Sequence, residues 1–579
     1  MPITLSPAIK FDGSLLATAW QDALLECKVE HEMCTTSQVT LRFLDVGYAL
    51  TTSGTVKLGT TVVVSVPAGN NLISAEVTSV AVEQSEGDQP EMVVVALDKS
   101  HRLARGSRVK TYLNIAYSDI VSQMASSAGL SASTDPTSVT FDYVLQVDSD
   151  LAFLTEMASR AGFNWWVEDG TLNFKKPSTG TEVELALSTD LTTFSVRASG
   201  HPPGSVSVYG WDRTNQQQLT GSSTSATLKA SSTLADSVSD GDSAFGSATL
   251  VTASISGSTQ DEVSQLSQAL FDWATANSVR AAGLTTGNDS VALGSSVKVS
   301  DAGPLTGTYP ITRVEHTYRP RRGLMTRFWS GGRGTYGPSA ANGYGRHSPL
   351  LGAATHHPGL VVGTVTNIND PNQSGRVKVL FPGLDQSQES AWGRILAPGG
   401  GVSRGSVSIP EVGDEVLVAF EGGDPRQPVV LGGLFGSKST IPKWTVEDGK
   451  VSARRTTSRL GHLYEFGDGT QPADQYFQVQ LAGAQHTFKI SKESTVLQIP
   501  SGQALTIQAG DSKVAFSSSG DITVQAPNIT IQAQQNLKLS GLQVNVSADT
   551  QLQMQGQSQA SLKGAVLQLE GEGQASLKG

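Results

Sequence analysis

Charge is what this chain has least of: only 16% of its 579 residues are Asp, Glu, Lys or Arg, against roughly 25% in an ordinary globular protein. Its 41 basic residues are outnumbered by 52 acidic ones, a formal net charge of −11. It therefore lacks the cationic surface with which nucleic-acid binders displace phosphate counterions. A disordered acidic chain is excluded as well, because 38% of the residues are hydrophobic, enough to build packed cores. Two cysteines, Cys27 and Cys34, are too few for a disulfide framework and lack metal-ligand spacing. No run of about 18 apolar residues reads as a membrane span. Asp12, Asp22 and Glu26 interrupt any signal core, so the expectation is cytoplasmic synthesis without a secretory leader. The place of charge is taken by Gly (60 residues), Ser, Thr, Gln and Ala, spread over a length that suggests about four domains.

Up to about residue 330 the pattern is mixed, with strands dominant. Val62–Val66, Met92–Leu97 and Val206–Tyr209 are β-branched or alternating, which predicts strands. Ser118–Ala128, Asp148–Ala161 and Asp261–Ala276 carry apolar residues at helical spacing, the first two behind plausible N-caps, which predicts three core-facing helices. Residues 331–359 are rich in Gly, Ala and Pro and read as a linker. Five short runs follow, Leu360–Asn367, Arg376–Phe381, Trp392–Ala397, Glu415–Phe420 and Val429–Leu434, separated by turn chemistry. Five strands in so short a stretch predict a small closed barrel, of which the OB-fold is the common form.

The last 79 residues are periodic. Apolar pairs at i and i+2 recur at Leu505/Ile507, Val514/Phe516, Ile522/Val524, Ile529/Ile531, Leu537/Leu539, Val544/Val546, Leu552/Met554, Ala560/Leu562, Leu567/Leu569 and Ala575/Leu577. Their starts are seven to nine residues apart, and QASLKG occurs twice, at 559–564 and 574–579. A five-residue strand and a three-residue turn fit this octad. One octad turns a single corner and cannot enclose a core, so the period predicts three chains winding together, each supplying one face. Ten octads rising about 4.8 Å each give a rod on the order of 50 Å long. The expected core is Leu505, Ile507, Ile522, Val524, Ile529, Ile531, Leu537, Leu539, Val544, Val546, Leu552 and Met554. Outside it, 14 Gln stand against nine charged residues. Amides tolerate identical rows about 5 Å apart, where like charges repel.

Residues 364–435, with NDPNQSGRVKVLFPG, SAWGRI and IPEVGDEVLVAFEGGDPRQPVVLGGLF in order, resemble the OB-fold of VgrG-type spike proteins. SRLGHLYEFGDG (458–469) resembles the neck before the needle in that family. QVDSDLAFLTEMASRAGFNWWVEDGTLNFKKP (146–177) and VYGWDRTNQQ (208–217) resemble its hub. The resemblance implies a mainly β multidomain chain. Its parts are a hub of two β-barrel-like domains with helical insertions (1–330), the linker, an OB-fold (360–436), a neck (437–500) and a trimeric intertwined β-helix needle (501–579). It implies a homotrimeric spike of a contractile injection system, phage-tail-like or type VI, assembled in the cytoplasm and carried in an injection particle. The implied partners are a hexameric inner tube, baseplate proteins and a PAAR-type tip protein seated on Gln574, Ala575, Ser576, Leu577, Lys578 and Gly579. The target membrane is met only on firing. No lysozyme domain fits between the OB-fold and the first octad, and the chain stops on its last repeat, so effector cargo is expected on a separate chain.

No catalytic residue, cofactor or metal is expected. Gly401-Val402-Ser403-Arg404-Gly405 fits G-x-S-x-G, but Pro410 closes the segment where a nucleophile elbow needs a helix. Gly436–Thr440 lacks the Gly-Lys pair of a phosphate loop, and Pro442 follows. His347, His356 and His357 lie close in sequence, yet no Cys or carboxylate completes a metal set. Residues 355–440 hold six Lys/Arg against eight Asp/Glu, unlike a single-strand-binding OB groove. Trp165 and Trp166 read as one core and one interface residue. The rival from another class is a glycan-degrading phage tailspike. It needs paired carboxylates roughly 5–10 Å apart, whereas the needle has only Asp511, Asp521, Asp549, Glu570 and Glu572, scattered in register.

Overall fold

The computed structural model describes residues 6–576 apart from 68, 201, 213–214, 253–256, 333–358, 484 and 575. Most of the expected linker, including His347, His356 and His357, thus lies outside the described residues, as do Ala575, Leu577, Lys578 and Gly579. The chain divides into two compact units, residues 1–440 and 441–579. Strands dominate both.

In the first unit an eleven-stranded sheet joins two β lobes. One lobe comes from residues 8–97. Its core holds Val29, Leu41, Phe43, Val62, Val64 and Val94, with Trp20 packed edge-on to Phe11 and Phe43. The other is built from strands within residues 182–330, around the fully buried Tyr309, Phe328 and Val297. The seam is an antiparallel ladder between Leu24–Glu32 and Arg313–Arg319, in register from Arg313↔Glu32 to Tyr318↔Cys27.

The chain forms two helix-bearing inserts, one between the two lobes in sequence and one within the span of the second lobe. The first packs helices Tyr117–Ser127 and Asp150–Ala161 on the strands Asn164–Glu168 and Thr171–Lys175. The second helix starts where Ser149 Oγ accepts from Ala152 N, and stops at Gly162, whose φ of 71° only glycine adopts without strain. The other insert lays helix Gln260–Thr275 against Ser205–Asp212 and Gln217–Ser223, burying Val206, Val208, Leu266 and Leu270. All three helices expected from the sequence are present within a residue or two of their predicted ends.

Trp165 is fully buried in the first insert. Trp166 turns the other way into the core of the second β lobe, and a Cβ on Gly294 would sit 2.7 Å from its ring. The pair is thus two interior residues of neighbouring cores.

Residues 360–433 make a six-stranded barrel in the order Asp385–Glu389, Lys378–Phe381, Leu360–Asn367, Glu415–Phe420, Pro428–Gly433, Arg394–Ile395. Reciprocal hydrogen bonds between Val377 and Gly393, 2.9 and 2.8 Å, close it. Its core is Val365, Val377, Val379, Phe381, Val416, Val418 and Val430. The strand Asp385–Glu389 corrects the expectation of a turn there.

Candidate functional site

The second unit holds the repeats. After a short hairpin comes a five-stranded meander: Ala453–Thr457, Leu463–Asp468, Gln475–Gln480, Thr487–Ser491 and Thr495–Gln498. Because side chains alternate across a strand, its two faces differ sharply. One face carries the cross-strand rows Tyr464–Val479–Phe488–Leu497 and Phe466–Phe477–Ile490. Tyr464, Phe466, Val479, Phe488, Ile490 and Leu497 are all exposed in the single chain. The other face is polar and carries an ion pair, although Arg455 Nε and Thr457 Oγ1 stay buried without a hydrogen-bond partner. Glu465 pairs with Arg455 and accepts from Tyr476 Oη at 2.6 Å, and Lys489 Nζ lies 4.1 Å from the Tyr476 ring centroid. Burial alone would raise the Glu465 carboxyl, but the Tyr476 and Arg455 hydrogen bonds outweigh it and hold it below the usual range. Burial, then the hydrogen bond to Glu465, pushes the Tyr476 phenol up to about 12.

Three strands follow, Leu505–Ala509, Ser512–Phe516 and Ile522–Gln525. Their register brings the first three apolar pairs side by side, Leu505↔Phe516↔Ile522 and Ile507↔Val514↔Val524. Ile507, Ile522 and Val524 are more than half exposed. From 526 to 574 no strand or helix forms among the described residues, and all from 527 on are exposed. The backbone nevertheless bends at 527, 534–535, 542, 549–550, 557–558, 565–566 and 572–573. The interval is seven or eight residues, and each apolar pair from Ile529/Ile531 to Leu567/Leu569 falls between successive bends. Ile529, Ile531, Leu537, Leu539, Val544, Val546, Leu552 and Met554 are 52–71% exposed. Gln574 and Ser576, the described part of the expected tip-docking segment, are exposed too.

The sequence decoys sit in surface turns. Ser403 has φ 53° inside a tight exposed turn closed by Gly401 N to Arg404 O at 3.0 Å, with no helix after it. Gly436 N donates to Ser439 O at 2.9 Å in another turn. Asp521 is engaged by its own turn, accepting from Ser519 Oγ at 2.6 Å and Ser517 Oγ at 3.0 Å. No cluster of three metal-ligating side chains occurs among the described residues, and no described helix is long and apolar enough to cross a membrane.

Sequence reasoning missed one feature, a buried ionic cluster joining the barrel to both inserts. Glu262 Oε1 meets Arg160 Nη2 at 2.9 Å and Arg426 Nη2 at 2.8 Å, and Arg426 is also paired to Asp424 at 2.7 Å. Burial raises the Asp424 carboxyl, but Arg426 outweighs it and brings it down to about 2. The only signal was Asp424-Pro425-Arg426 within the OB-like motif, and nothing local pointed to its partners.

Comparison with known proteins agrees with this architecture. Residues 361–435 match the type VI secretion system/phage-baseplate injector OB domain, so the barrel belongs to that class of injector module. The chain belongs to the family described as the Alg8 N-terminal domain, whose model matches residues 6–319. It is VgrG-like. The type VI secretion system spike protein VgrG5 of Pseudomonas aeruginosa is 37% identical over 116 residues, 19% of this chain and 14% of that relative. VgrG3 of Vibrio cholerae is 35% identical over 94 residues, 16% of this chain and 9% of that one. Among solved structures, the 43 kDa tail protein of prophage MuSo2 from Shewanella oneidensis has a TM-score of 0.44 at 14% identity, covering 56% of this chain and 98% of that one. The matched stretches thus span a small part of the curated relatives' own length.

Proposed function

We propose that the chain is the structural spike of a contractile injection system and works as a homotrimer without enzymatic activity. The observation that carries this reading is the coincidence of two periods in residues 527–573. The backbone bends every seven or eight residues, and an apolar pair stands between each two bends without a partner in its own chain. Backbone N–H and C=O groups in such segments need partners, and unpaired strand edges are templates for other chains. Three copies in register would pair these segments with one another and bury six apolar side chains per rung. The outward aromatic face of 453–498 would be covered by the same association.

On this reading residues 1–330 dock the hexameric tube and the baseplate, 360–436 form a collar and 437–500 a neck. Residues 501–579 form the needle, and Gln574–Gly579 seat a PAAR-type tip protein. The particle would be assembled in the cytoplasm, with neither nucleic acid nor cofactor as a partner and the target membrane met on firing. Light scattering on the purified chain tests it. The expected mass is about 180 kDa, three times the 60.6 kDa chain, and a monodisperse monomer would refute the proposal.

A further inference from the structure

The barrel of residues 360–433 meets the helix-bearing inserts through side chains far apart in sequence. The turn between Glu415–Phe420 and Pro428–Gly433 is pinned by its own backbone, with Gln427 N to Asp424 O at 2.9 Å and Glu421 N to Gln427 O at 3.0 Å. Asp424 then braces Arg426. Its Oδ1 accepts from Arg426 N at 2.9 Å and Nε at 3.0 Å, and its Oδ2 accepts from Nη2 at 2.7 Å. The guanidinium so fixed reaches Glu262.

Glu262 is equally fixed. It is the third residue of helix Gln260–Thr275, where its N–H donates to the N-cap Thr259, and its Oε2 accepts from Ser258 N at 3.0 Å and Oγ at 3.1 Å. Its other oxygen serves both Arg426 and Arg160, the latter from helix Asp150–Ala161. The helix N-terminus favours this carboxylate. Two arginines thus face two carboxylates, with the side chains of Glu262, Asp424 and Arg426 between 4 and 12% exposed. Arg426 Nη1 is buried without a hydrogen-bond partner. The Phe141 ring centroid, 5.0 Å from the guanidinium carbon, offers its π-face instead. A second tie runs from Thr111 N to Asp385 Oδ2 at 3.0 Å.

We propose that Arg426 is a positioning residue: with Asp424 as its brace, it latches the barrel onto Glu262 and Arg160, so that barrel and inserts move as one rigid body. Removing one member of such a cluster strands the others as buried, uncompensated charge. Lysine is no substitute, since it cannot hold Asp424 and Glu262 with one planar fork. The use of the latch, to pass thrust without play from the tube-facing end to the needle, rests on the spike reading. The latch itself does not.

The test is a distance measurement between spin labels on the full-length chain, at Ser126→Cys and Asn372→Cys in a Cys34→Ser background, diluted with unlabelled chain. The parent should give one narrow distribution. Arg426→Met and Arg426→Lys should each roughly double its width, as expected of a broken buried pair. Glu262→Gln, which leaves the barrel's own sequence untouched, should do the same while barrel unfolding monitored separately stays unchanged. A distribution in Glu262→Gln as narrow as the parent's overturns the latch, whether or not the Arg426 variants fold. A monomeric mass in light scattering would refute the spike reading and leave this result standing.

Discussion

The seam between the two β lobes should make the first unit labile to mild acid. His31 and His316 lie on the two strands of the seam ladder, their rings 6.2 Å apart and 76° to one another. His316 Nδ1 is 2.9 Å from Thr326 Oγ1, and His31 Nδ1 is 3.0 Å from Ser37 Oγ. Burial holds both imidazoles neutral, His31 down to about 4 and His316 to about 3, the latter helped by the neighbouring His31. An unfolded histidine binds its proton near pH 6.5. Between pH 6.5 and about 4 the unfolded chain therefore holds more protons than the folded one, so stability is lost as the solution is acidified through that window. At pH 5 each imidazole costs about 2 kcal/mol, and the pair about 4 kcal/mol. Asp98 and Glu156, whose carboxyls burial pushes up, act in the opposite direction. The comparison must therefore be between the parent and a His31→Gln/His316→Gln variant. Urea unfolding followed by tryptophan fluorescence at pH 7 and pH 5 should show the parent losing about 4 kcal/mol more than the variant. Equal losses in the two proteins would refute the account of the seam.

Three further perturbations separate the parts of the chain. Ile529→Ser with Ile531→Ser exposes one rung: at about 2 kcal/mol per isoleucine, six of them in a trimer contribute on the order of 10 kcal/mol. The assembly should dissociate at markedly lower denaturant, and an unchanged midpoint would argue against a shared core. Trp165→Ala empties the centre of the first insert and should cost about 3–5 kcal/mol by chemical denaturation, with the barrel unaffected. Gly294→Ala places a Cβ against Trp166 at φ 77°. It should destabilise the second β lobe by more than about 1 kcal/mol, and a neutral effect would refute both the backbone strain at this position and the tight contact with Trp166.

The three long helices are legible in the sequence because each carries apolar residues at helical spacing, a signal that lies within one or two turns. Two of them add a side-chain cap, Ser149 and Thr259, whereas Tyr117–Ser127 starts behind Ala116 without one. Five of the barrel's six strands are legible because Val, Leu, Ile, Phe or Trp mark their runs. Asp385–Glu389 is not, since DQSQE has no β-branched or aromatic residue and is held on the barrel by its neighbour Lys378–Phe381. The eleven-stranded sheet is invisible for a different reason. Its seam pairs residues 24–32 with 313–319, and no local pattern records which distant strands will meet. The Arg160–Glu262–Arg426 cluster is hidden in the same way, because each of its residues reads locally as a solvated charge. The octad is legible because a repeat is its own control, and the bends recur at its period even where no strand pairing forms within the chain.

That same repetition poses a register problem for the proposed trimer. Sliding one chain by an octad against its neighbours opposes apolar pair to apolar pair again, and QASLKG at 559–564 and 574–579 makes a slip of two repeats nearly silent. A needle built only of octads would thus be stable without being unique. The aperiodic sheet of residues 453–498 breaks the degeneracy. On its outward face Tyr464, Phe466, Phe477 and Phe488 differ in size and position from row to row, so only one alignment of three such faces interdigitates well. The low charge of the last 79 residues then has a second consequence. With nine charged side chains among them, the proposed needle would have few cross-chain ion pairs of the kind that fix register in other assemblies. In the proposed trimer, register is therefore imposed from the neck downward, by shape and not by charge.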